Sequence, residues 1–156
     1  MKESPQLKIA EANMRPGVIT LNGFLGHDTR PLGDILVADE GTVRRMGLTH
    51  VSIAEKMRHF LDAGMTGLGE FVDVEPHFEV MVQSVRGKLP CPFGDPGLIP
   101  KTNVTVVNRS NGKQITYTEF HIHLVGQHGF YEGHGSPFRL EPKLLQEVLE
   151  IEPLDL

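Results

Sequence analysis

Apolar residues recur at helical spacing in the first part of the chain and at strand spacing from residue 70 onward. Leu32, Ile35, Leu36, Val43 and Met46 predict a helix entered at Thr29 and closed at Gly47. Arg44 and Arg45 fall in its last turn, where cations offset the helix dipole. Gly41 interrupts this pattern and leaves 35–38 open as a short strand. A second helix is predicted over 52–63. Ser52 and Glu55 have the spacing of a capping box, Ile53, Met57, Phe60 and Leu61 form its apolar stripe, and Gly64 supplies a left-handed stop. A third helix is expected over about 142–150, opened by Glu141-Pro142 and buried through Leu144, Leu145, Val148 and Leu149.

Strands are predicted at 70–75 and 78–86, hinged at Glu75-Pro76-His77, with Phe78, Val80 and Val82 on one face. The β-branched run 17–21, closed by Asn22-Gly23, predicts a further strand. Residues 102–108 and 113–117 read as a hairpin over Arg109-Ser110-Asn111-Gly112, because Asn-Gly is the strongest short turn signal. Lys88 to Pro100, rich in proline, is expected to be an irregular loop, and about 1–14 a flexible N-terminus. The order predicts one α+β domain over 1–156, with a mostly antiparallel sheet of four to five strands and three to four helices.

Composition narrows the function classes. With 39% hydrophobic and 22% charged residues the chain has the balance of an ordinary globular domain. The net charge of −5 argues against a nucleic-acid or membrane-surface binder, since both need a dense basic face. Helices on either side of Gly47-Leu48-Thr49-His50 have the texture of helix-turn-helix regulators, but their charges cancel, so no nucleic-acid partner is expected. The single cysteine excludes an intrachain disulfide. No targeting signal opens the chain and the longest apolar run is Ile35–Ala38, so no membrane partner and a cytoplasmic protein are expected. A homo-oligomer and a small-molecule ligand stay open as partners.

The chemistry concentrates near the C-terminus, where four of the eight histidines stand within fourteen residues: His121, His123, His128 and His134. As a strand, this segment would place His121 and His123 on one face about 6.6 Å apart, as two ligands of one metal. As a helix over 119–128 it has Thr118 as N-cap, Gly129 as stop and Phe120, Leu124 and Val125 as its inner stripe. Punctuation at both ends favours the helix. His121 and His128 then lie about 10.5 Å apart, too far for one ion, whereas His123 and His128 have the His-x4-His spacing of half a zinc site.

Cys91, in Pro-Cys-Pro-Phe-Gly, supplies a third ligand, and His134, Asp95 or water a fourth. A hairpin, a helix with His-x4-His and an upstream cysteine resemble a degenerate two-Cys, two-His zinc finger over 91–128. Gly94 stands where that pattern has its second cysteine, and 31 residues separate Cys91 from His123. Phe-His-Ile-His-Leu-Val-Gly also has a likeness to the histidine-triad nucleotide hydrolases, although Glu119 occupies the remaining triad position. Glu132, the nearest carboxylate, is the candidate general base beside a metal-bound water. The reading is a protein binding zinc or another divalent transition metal through Cys91, His121, His123, His128 and His134, with hydrolysis as one use of the metal. The competing reading is a non-enzymatic binding or assembly module whose histidines are structural.

Overall fold

The computed structural model describes residues 4–154, so the first three positions of the expected flexible N-terminus lie outside the described residues. Alternation builds the sheet. Strands β1 (Val72–Val74), β2 (Phe78–Gln83), β5 (Asn103–Asn108) and β6 (Gln114–Thr118) pair antiparallel in the order β1-β2-β5-β6. Val80 faces Val106 and Val82 faces Val104, while Val104 and Val106 face Tyr117 and Ile115 across the next ladder. All of these side chains point to one buried face, as the period of two requires. The Tyr117 hydroxyl, buried with them, donates to the Met57 carbonyl at 2.8 Å.

Among the described residues five α-helices complete an α+β fold: α1 (Pro5–Asn13), α2 (Leu32–Arg45), α3 (His50–Gly64), α4 (Glu119–His128) and α5 (Pro142–Leu149). Helices α3 and α5 cover the sheet, with Ile53, Met57, Phe60, Leu145, Val148 and Leu149 in its core. A second core lies beside it, where α1 and α2 bring Ala10, Met14, Leu32 and Ile35 against Phe24, Cys91 and Phe130. Helix α4 divides the two. Its Ile122 and Val125 belong to the sheet core, and its Phe120 and Leu124 to the second core. Gly126 lets α4 approach α3, since a Cβ there would come 3.0 Å from the Ala54 Cβ.

Several sequence expectations are corrected. Residues 17–21 form turns: the amides of Gly17 and Gly23 both reach the Thr20 carbonyl, and Val18 and Leu21 are exposed while Ile19 packs against the second core. Residues 5–13, expected to be flexible, form α1, capped by Ser4 and anchored by buried Ala10. The 88–100 segment contains a two-stranded ribbon, β3 (Lys88–Pro90) against β4 (Leu98–Pro100). Pro90 and Pro100 sit at strand ends in a ribbon without further neighbours in its sheet, where a missing amide costs no ladder bond, and Pro92 and Pro96 lie in the connection. The capping box of α3 starts three residues earlier than predicted: Thr49 accepts from the Ser52 amide and Ser52 returns the contact. Gly64 stays right-handed at φ −75°, and the left-handed residue is Leu68. Glycine is needed at 64 for packing instead, because a Cβ there would lie 2.6 Å from Val82 Cγ2.

Candidate metal centre

Helix α4 forms between the signals expected of it. Thr118 caps it by accepting from the His121 amide, and Gly129 ends it at φ 62°. The helical reading of 119–128 therefore holds. Two of its histidines turn toward the segment between β3 and β4. His123 Nε2 and His128 Nε2 both reach Asp95 Oδ2, at 2.8 and 2.7 Å. Cys91 Sγ lies 3.5 Å from His128 Nε2. One donor atom from each of Cys91, Asp95, His123 and His128 lies within 4.8 Å of all the others.

The surroundings fix these groups. The Phe93 ring stacks on His128 at 4.2 Å and 11°, and meets Phe130 edge-on. A turn from Cys91 to Gly94, closed by the Gly94 amide on the Cys91 carbonyl at 3.0 Å, brings Asp95 back over the helix. Burial pushes the Cys91 thiol up, while the amides of Asp95 and Phe93 donate to the sulfur and oppose that shift. Hydrogen bonds from His128 and then His123 hold the Asp95 carboxyl below its usual value. The cysteine is buried, and the other three groups are half-buried at the protein's edge.

Of the residues singled out by sequence, Cys91, His123 and His128 come together, and Asp95 takes the fourth place. His121 faces the other way. Its Nε2 meets Glu132 Oε2 at 2.7 Å, and Ser136 Oγ donates to Glu132 Oε1 at 2.6 Å. Glu132 is thus paired with His121 and stands outside the cluster. His134 is half-exposed, with Nδ1 3.9 Å from Glu141. The His27-Asp28 pair also lies elsewhere, where Arg30 grips Asp28 and holds its carboxyl well below the usual range. Sequence reasoning did not find the Ser136–Glu132–His121 chain. Its one signal was the helix geometry that separates His121 from His128. Among the described residues no helix is long and apolar enough to cross a membrane.

Comparisons of this chain with protein-family models, curated proteins and solved structures find no match.

Proposed function

We propose that this protein binds a zinc-like divalent metal through Cys91, Asp95, His123 and His128, and that the metal fastens the 91–97 segment to α4. The convergence of these four donors carries the reading. Tetrahedral zinc, with bonds of about 2.3 Å to sulfur and about 2.0 Å to nitrogen, sets its sulfur and nitrogen ligands about 3.5 Å apart. The Cys91–His128 separation has that value. Thiolate and imidazole suit zinc and its neighbours, whereas magnesium and calcium prefer all-oxygen sites. Two amides aimed at the sulfur would stay as donors to a metal-bound thiolate, although burial and the Asp95 carboxylate favour the thiol without metal.

Four protein donors make a closed set. Catalytic zinc sites keep three protein ligands and a water, and here the candidate base Glu132 is engaged elsewhere. A structural role therefore ranks above hydrolysis. Metal would take the Nε2 atoms that now donate to Asp95 and would displace the thiol proton, so affinity falls as pH drops through the imidazole range.

Protein purified without an affinity tag is expected to carry, or take up, one equivalent of zinc and to melt at a higher temperature with it. Cys91→Ser, His123→Ala and His128→Ala should each abolish stoichiometric binding, and His59→Ala, on α3, should keep it. Substoichiometric metal with no rise in Tm on adding zinc overturns the proposal.

A further inference from the structure

The pair that the metal centre leaves out lies at the wall of a cavity. The Thr118 backbone amide donates to His121 Nδ1 at 3.0 Å, which places the ring proton on Nε2, facing Glu132 Oε2. Ser136 supplies the donor to the other oxygen. Glu132 is 1% exposed and sits at a left-handed φ of 70°. Its carboxylate thus accepts from an imidazole N–H and a hydroxyl.

No Lys or Arg pairs with that carboxylate among the described residues. Arg139 reaches only the Glu132 backbone carbonyl, at 2.8 Å, and its charge faces Asp39 at 2.7 and 2.8 Å and Glu141 at 3.0 Å. A buried carboxylate that no Lys or Arg faces attracts a positive group able to reach it.

The cavity beside it, about 420 Å³, is large enough for a small organic molecule. Glu132, His121 and Thr118 border it together with the rings of Phe24, Phe120 and Phe138. Phe138 is exposed at its lip. The remaining charged group on the wall, Lys101, lies along exposed Gly87, where a Cβ would stand 3.5 Å from its Nζ, so its charge sits at the outer rim.

We propose that this cavity binds a small primary ammonium compound with an apolar body. An ammonium group has donors only, and each oxygen of Glu132 keeps a lone pair for it. It also brings the positive charge that no Lys or Arg supplies there, while aromatic faces attract the cation and cover the apolar body. Lys101 at the rim repels a second positive group, so the ligand is a monoamine rather than a polyamine. This site is separate from the metal centre: His121 projects away from the His123–His128 pair, and the two groups share no side chain.

The test titrates the protein as purified with phenethylamine, phenethyl alcohol and phenylpropionate, followed by calorimetry and thermal shift. Phenethylamine should bind saturably, about tenfold or more tighter than the alcohol, and the acid should not bind. Glu132→Gln should abolish the preference of amine over alcohol. Phe138→Ala, at an exposed position, should weaken all binding while leaving the fold intact. If Glu132→Gln does not fold, the three compounds on the wild-type protein and Phe138→Ala still decide. Equal binding of amine and alcohol, no saturable binding of the amine, or amine binding untouched by either substitution overturns the proposal.

Discussion

The two cores of this protein are made differently. The sheet core joins regular elements whose apolar residues follow a period, so each buries a continuous face: Val80, Val82, Val104 and Val106 from strands, Ile53, Met57 and Phe60 from a helix. The second core draws Phe24, Cys91 and Phe130 from connecting segments and holds them against α1, α2 and the Phe120–Leu124 side of α4. Connecting segments bury less and order fewer backbone groups by pairing, so they need an additional fastener. The metal donors stand at the edge of that second core, with Cys91 a member of both. Regular structure sustains one half of the molecule, and local chemistry is concentrated in the other.

The difference can be broken most forcefully from the sheet side. Phe60→Ala, at a position 1% exposed in the middle of that core, is expected to cost about 3–5 kcal/mol in denaturant unfolding, with or without zinc. A zinc-dependent cost would mean that the sheet also leans on the metal. Next in size is zinc itself. At a hundred times its Kd it should add about 2.7 kcal/mol, with hydrogen-exchange protection rising over 88–100 and α4 more than over β5 and β6. Uniform protection would show that the two cores open as one unit.

The smallest effect belongs to the seam between them, where His50 Nδ1 meets the Tyr131 hydroxyl at 2.8 Å. Burial lowers the pKa of His50 from its ordinary 6.5, so the unfolded chain takes up this proton more readily than the folded one. Stability is therefore whole above the unfolded value and declines as pH falls through 6.5 toward the folded value. In EDTA, His50→Gln should flatten the slope of stability between about pH 7 and pH 5. An unchanged slope would remove His50 from the acid response.

The same contrast governs what the sequence reveals. The strands β2, β5 and β6 are legible because Phe78, Val80 and Val82 alternate and Asn111-Gly112 closes the hairpin. Helix α4 is legible because Thr118 and Gly129 bracket it. At 17–21 the β-branched residues suggest a strand, yet no neighbouring strand pairs with them and their amides close turns instead. Likewise Ser52-Ile53-Ala54-Glu55 has the form of a helix start, but Thr49 has Ser52 at the same spacing and comes first. The candidate site divides in the same way. The His123–His128 pair follows from helix geometry, and Cys91 from its chemistry. Asp95 is placed by the turn that begins at Cys91, and the Glu132–His121 contact by a left-handed residue that no periodicity announces.

Of the ten residues of α4, Gln127 alone is exposed. The helix behaves as a wall between two rooms, with furniture fixed to both sides. A change that shifts it to suit Ile122 also displaces Leu124 and the histidines beside it. Paired substitutions across this helix should therefore depart from the sum of their separate effects, as contacts through a shared element do. The sequence of α4 is held by two juries at once, and few replacements can satisfy both.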